Sequence, residues 1–94
     1  MLSDSELQDQ VAKAVSLYNR FHSPEATAKI VRVTLELVTV AFSGSFCYSC
    51  GVMDFLDDFA RQFKILTDKA ELKIDHTRHI NLQTFEADFR VKHR

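Results

Sequence analysis

The sequence predicts a mixed α/β fold with elements in the order α-β-α-β-β. Three observations predict it. Two segments, 4–21 and 50–66, carry apolar residues at helical spacing. The run 29–42 is crowded with β-branched residues, which favour strands. Two later segments, 70–75 and 85–92, alternate apolar and polar residues. The 94 residues suit a single domain, 1–94, and 46% hydrophobic content with eight phenylalanines supplies one core. Two glycines and one proline leave little material for tight turns, which disfavours a sandwich or a propeller.

The first helix opens on Ser3-Asp4-Ser5-Glu6, which fits a capping box with Ser3 as the cap and Glu6 reaching back. Leu7, Val11, Val15, Tyr18 and Phe21 recur along it. Pro24 disfavours a helical Ser23, so the helix should end near His22. A short turn at 24–28 then leads into one long strand, 29–42. Odd positions from Val31 to Leu37 are apolar and even ones polar, after which both faces turn apolar. The second helix shows the clearest amphipathic pattern: Val52, Phe55, Leu56, Phe59, Phe63 and Leu66 form a stripe. Asp54, Asp57 and Asp58 face away from it and read as a solvated surface, because neighbours on a helix do not face each other. Residues 70–75 alternate as a strand, and His76 to Ile80 reads as a connection. In the last segment Phe85, Ala87, Phe89 and Val91 alternate with charged residues, which favours a strand over a helix across 81–92. No internal repeat is visible in the sequence.

Charge and segment composition narrow the function classes. Twelve Lys+Arg stand against thirteen Asp+Glu, a formal net charge of −1, whereas a duplex-binding protein carries an excess of cations. The reading is therefore no nucleic acid, despite the local basic run Arg90, Lys92, His93, Arg94. The same α-β-α-β-β order also occurs within Alba-type nucleic-acid-binding domains, and the acidic balance counts against that option. The N-terminus is acidic and polar, unlike a signal peptide. The most apolar stretch, 31–46, is broken by Arg32 and Glu36 and is too short to cross a bilayer as a helix. These features predict a soluble, cytoplasmic protein with no membrane partner.

The only two cysteines, Cys47 and Cys50, are separated by two residues in SGSFCYSCGVMDF. In a reducing compartment such a pair is more often catalytic or metal-binding than a structural disulfide. It falls where a buried strand should hand over to a helix. Unpaired amides of a first helical turn and the helix dipole stabilise an anion there, and a thiolate is an anion. The dipole contributes about 0.3–1 kcal/mol toward the thiolate, so direct hydrogen bonds would have to add to it. Cys47, the first cysteine, is the candidate nucleophile and Cys50 the resolving thiol.

The stretch LVTVAFSGSFCYSCGVMDFLDDFARQF resembles the core of a thioredoxin-like domain: an apolar strand ending in Phe, an aromatic, C-x-x-C and a long amphipathic helix. Phe42 and Phe46 fall at the strand phenylalanine and the pre-cysteine aromatic. LTDKAELKID, Leu66 to Asp75, is similar to the helix end and next strand of glutaredoxin-like domains and archaeal protein disulfide oxidoreductases. The resemblance covers about half the chain. It implies a βαβ unit, catalytic Cys47 and Cys50, no cofactor, and a protein or small-molecule disulfide as substrate. The chain's one proline, Pro24, lies upstream of the motif, whereas the family places one opposite its cysteines.

Other readings stay open beside it. If the strands flanking the second helix run parallel, Cys47, Cys50, His76 and His79 would gather at one edge of the sheet and could hold zinc tetrahedrally. The cysteines could instead pack as small hydrophobes. His22 and His93 read as surface residues. The final strand, as an exposed edge with alternating phenylalanines, could pair with its copy in a homodimer.

Overall fold

The computed structural model describes residues 2–44 and 52–94. It has helix α1 (Asp4–His22), strands β1 (Thr27–Val33) and β2 (Leu37–Ser43), helix α2 (Val52–Leu66), and strands β3 (Ala70–Asn81) and β4 (Thr84–His93). Mixed α/β is the class expected, but the order is α-β-β-α-β-β. The predicted strand 29–42 is two strands, and a three-residue turn lies inside it.

That turn had no glycine, proline, Asn or Asp to mark it. Thr34 closes it instead. Its hydroxyl donates to Leu37 O and accepts from Leu37 N–H and Glu36 N–H, while Thr34 N–H donates to Leu37 O. A hydroxyl in this role substitutes for special backbone angles. A register shift between Ile30 and Arg32 also breaks the alternation, so Val31 stands 51% exposed although the pattern paired it with Val33.

Both helices end as expected. Ser3 Oγ accepts from Glu6 N–H, and Ser3 N–H donates to Glu6 Oε1, completing the capping box. Leu2, just before the cap, is buried together with Leu7, an arrangement that fixes the entry angle of the chain. Ser23 leaves the helix in an extended conformation ahead of Pro24.

The sheet order is β1-β2-β4-β3, and every neighbouring pair is antiparallel. A helix–strand–strand unit therefore occurs twice, α1-β1-β2 and α2-β3-β4, with the second strand of each unit at the centre. The strands on either side of α2 do run parallel, but β4 lies between them. They are not the neighbours that a thioredoxin-like βαβ unit would make. β4 is a strand, as its alternation predicted, yet it is the interior strand rather than an exposed edge. The edges are β1 and β3.

Both helices pack on one face of the sheet. Tyr18 of α1 and Phe59 of α2 each set their rings edge-on to Phe42 of β2, and Phe59 also meets Phe89 of β4. Leu7, Val11, Ala14, Leu56 and Phe63 fill the space between helices and sheet with Val38, Val40 and Ala87, all fully buried. The opposite face of the sheet is polar.

Candidate functional site

β2 is inward-facing and buried at Val38, Val40 and Phe42, then ends at Ser43. Gly44 follows with φ +134°, a conformation that favours glycine, and a Cβ there would collide with the Glu25 carbonyl oxygen. Gly44 N–H donates to Gln83 O at 3.0 Å, which ties the end of β2 to the β3–β4 turn. The ends of β2 and β3 thus lie at one end of the sheet, as the parallel-strand reading expected. Cys47 and Cys50 belong to the sequence between Gly44 and Val52 and lie outside the described residues.

The first turns of α2 are held by the last turn of α1. The Tyr18 hydroxyl donates to Phe55 O at 3.0 Å. Burial pushes the Tyr18 phenol well above its ordinary value, with Asp58 and Glu25 adding in the same direction, so it serves as a donor. His22 stacks on the Tyr18 ring with centroids 4.1 Å apart and planes 6° from parallel. Its Nδ1 lies 3.0 Å from Tyr18 O and its Nε2 3.2 Å from Asp58 Oδ2. Both partners are acceptors, so each contact is a hydrogen bond when that nitrogen carries its proton. Asp58 also accepts from Arg61 Nη1 at 2.8 Å. His22, expected at the surface, is 17% exposed in its side chain, and Asp58 is a cross-helix partner rather than part of a free acidic face. These two residues are 36 apart in sequence, and no local pattern announces such a pair. His93 is likewise drawn in: its Nε2 lies 2.7 Å from Leu35 O.

His76 and His79 sit within β3, not in a connection. Pairing is regular from His76 opposite Asp88 to His79 opposite Phe85. Residues three apart on a regular strand point to opposite faces. His79 stacks on Phe85 at 4.4 Å on the helix side, and His76 lies beside Asp88 on the open side. The two rings are therefore not presented together. Among the described residues, no group of three or more His, Cys, Asp or Glu is placed to hold a metal ion.

The open face is organised around Arg78. Its Nε and Nη2 donate to Glu86 Oε1 at 3.1 and 2.9 Å, and its Nη1 and Nη2 donate to Asp88 Oδ2 and Oδ1 at 2.9 and 3.0 Å. Thr39 Oγ1 donates to Asp88 Oδ1 at 2.7 Å. Hydrogen bonds from Arg78, reinforced by the one from Thr39, hold the Asp88 carboxyl down to about 2, and the same carboxylates push the Arg78 guanidinium up. The fork is occupied on both prongs, so the cluster ties β3, β4 and β2 together and offers no reactive group. An open groove of about 620 Å³ between the helices is lined by Lys13, Ser16, Leu17, Arg20 and Leu66, with no carboxylate or histidine among them to activate the Ser16 hydroxyl.

No protein-family model, curated protein or solved structure matches the chain. The thioredoxin-like resemblance thus rests on the residues quoted for it. No helix among the described residues is long and apolar enough to cross a membrane.

Proposed function

We propose that this chain is a small cytoplasmic thiol–disulfide oxidoreductase that works from the Cys47–Cys50 dithiol on protein or small-molecule disulfides, as a homodimer. The observation that supports the reading is position. The dithiol falls, in sequence, between the end of a buried strand at Ser43 and the start of a helix at Val52. That helix start is braced from α1 by Tyr18 and His22, which suits a site that must hold a thiolate near unpaired helix amides.

In the forward direction the Cys47 thiolate attacks one sulfur of the substrate disulfide. That S–S bond breaks, and the other substrate sulfur leaves as a thiolate that takes a proton from water. Cys50 then loses its proton and attacks the Cys47 sulfur, releasing the second substrate thiolate. The substrate gains two electrons and the protein holds a Cys47–Cys50 disulfide, which a glutathione-type thiol can reduce.

Equilibrating the protein in glutathione redox buffers, with metal content measured on the same preparation, tests the reading. A reversible two-electron transition, lost in Cys47→Ser and in Cys50→Ser, is the expected result. Stoichiometric zinc without a reversible disulfide would overturn it in favour of a binding module whose CxxC holds metal. Unchanged behaviour of both serine variants in every assay would leave the cysteines as packing residues.

A further inference from the structure

We infer that the groove between α1 and α2 docks an acidic amphipathic helix of another protein, with two carboxylates two turns apart and apolar residues between them. The inference is independent of the thiol chemistry and of the homodimer.

The groove is built from one side of α1 and the last residue of α2. Lys13, Ser16, Leu17 and Arg20 line it from α1, and Leu66 from α2. On α1 these positions follow at i, i+3, i+4 and i+7, so they form one stripe. Leu17 and Leu66 make a half-buried floor, and the cations Lys13 and Arg20 stand exposed at either end of the stripe. Apolar side chains continue beyond the floor. Phe21, one turn on from Leu17, is 69% exposed, and Ile65, next to Leu66, is 74% exposed. Large apolar side chains left in water beside charged ones mark an interaction surface.

The walls are held in place before any partner arrives. The Asn19 side chain donates to Ala28 O at 3.0 Å and accepts from Ala28 N–H at 2.6 Å, which fixes α1 to β1. Tyr18 and His22 fix α1 to α2. Docking on a preformed surface avoids the entropy of ordering it. The groove is also open to solvent. A small ligand would be poorly enclosed there, whereas small-molecule sites bury most of their ligand. A helix needs no enclosure: its apolar stripe rests on the floor and its polar face stays in water.

Charge selects which helix. The described residues lining the groove include two cations and no carboxylate. Among the described residues, the Arg20 guanidinium has no hydrogen bond or ion pair. Lys13 pairs with Asp9 at 3.2 Å, but both side chains are mostly exposed, and such a pair holds its members weakly. Lys13 and Arg20 are seven residues apart, about 10.5 Å along the axis. A helix laid along α1 meets both with carboxylates at i and i+7, and sets its residues i+3 and i+4 over Leu17 and Leu66. The chain offers this site once. Val11, Ala14 and Tyr18 of α1 match Leu56, Phe59 and Phe63 of α2 in spacing, and the counterparts of Lys13 and Arg20 are then Asp58 and Ile65.

Other occupants fit less well. The acids of the chain's own helices are Asp4, Glu6 and Asp9 in α1 and Asp54, Asp57 and Asp58 in α2, and no two within one helix are seven apart. A second copy therefore lacks the matching charges. Charge-driven lipid recognition uses clusters of about 4–8 Lys and Arg, and this groove has two.

Fluorescence anisotropy on the full chain with a labelled synthetic peptide tests this. The peptide is about 18 residues long, enough to form a helix. It carries Glu at i and i+7 with Leu at i+3 and i+4, and a control peptide has Lys in place of both Glu. The Glu peptide should bind saturably with Kd at or below about 100 μM, and the Lys peptide about tenfold more weakly. Lys13→Glu combined with Arg20→Glu should reverse that preference with an unchanged circular dichroism spectrum, since both residues are exposed. If the double variant fails to fold, Arg20→Gln carries the test and should weaken the Glu peptide several-fold. No saturable binding of the Glu peptide up to about 1 mM, or equal binding of the two peptides, would overturn the inference. A wild-type dimer that dissociates in the double variant would reassign the groove to a second copy and overturn it too. So would binding to phosphatidylserine vesicles that is lost in the double variant and stronger than binding to the peptide. None of these outcomes alters the glutathione titration, so the thiol reading stands or falls separately.

Discussion

The two helix–strand–strand units place their core residues alike but hold their polar edges by different means. In the first unit, neutral side chains bond the backbone: Thr34 closes the hairpin and Asn19 caps the strand edge. In the second, Asn81 accepts from Gln83 N–H in the hairpin turn much as Thr34 does, but along the sheet charged side chains bond one another: Arg78 with Glu86 and Asp88, and Arg90 with Asp75. Neutral bonds to the backbone respond little to salt and pH, whereas ion pairs on a half-open sheet face respond to both. The difference teaches that one topology can be locked in two ways, and that the ion pairs along the second unit's strands add a salt- and pH-dependent contribution to its stability.

The largest expected effect breaks what the units share. Phe59 is fully buried and its ring meets those of Tyr18, Phe42 and Phe89. Its spacing counterpart in the first helix is only Ala14. Phe59→Ala should cost about 3–5 kcal/mol in urea unfolding, and a loss near 1 kcal/mol would show that the core does not depend on this ring. Next, Arg78→Met leaves Glu86 and Asp88 facing each other without their cation. We expect a loss of about 2 kcal/mol, discounted for an Arg that is over a third exposed. That loss should shrink in high salt. Asn19→Ala removes both bonds to Ala28 and should cost about 1–1.5 kcal/mol, with no salt dependence. If Asn19→Ala proves as salt-sensitive as Arg78→Met, the contrast between the units is wrong.

The smallest effect concerns pH. The Asp88 carboxyl is held below its unfolded value, so its contribution is complete above about pH 4 and is lost as pH falls to about 2. Asp88→Asn should flatten the acid limb of the stability curve by about 1 kcal/mol across that window. An unchanged acid limb would place the acid sensitivity elsewhere.

Much of the fold was legible because it is local. The capping box, the Phe55–Phe59–Phe63 stripe and the alternation of the last strand each declare themselves within a few residues. The β1–β2 hairpin did not, because Val31, Val33, Leu35 and Leu37 keep alternating through the turn while the reversal is made by a single threonine hydroxyl. His76 to Ile80 looked like a connection because its polar residues belong to an open sheet face whose partners come from β4. The candidate site was legible only as a motif. The Tyr18–His22–Asp58 brace depends on how two helices meet, and sequence spacing within either helix carries no trace of it.

One contact has a consequence for how the chain could be rewired. His93, at the end of β4, bonds the Leu35 carbonyl, and Asp4, at the start of α1, lines a shallow surface hollow with Val33, Thr34, Leu35 and Glu36. Both outer ends of the described elements therefore meet at one hairpin. A short linker from His93 to Asp4, with the chain opened at Leu82–Gln83, would yield a circular permutant beginning with β4. It would keep every ladder of the sheet, and the second unit would be split between the two ends of the chain.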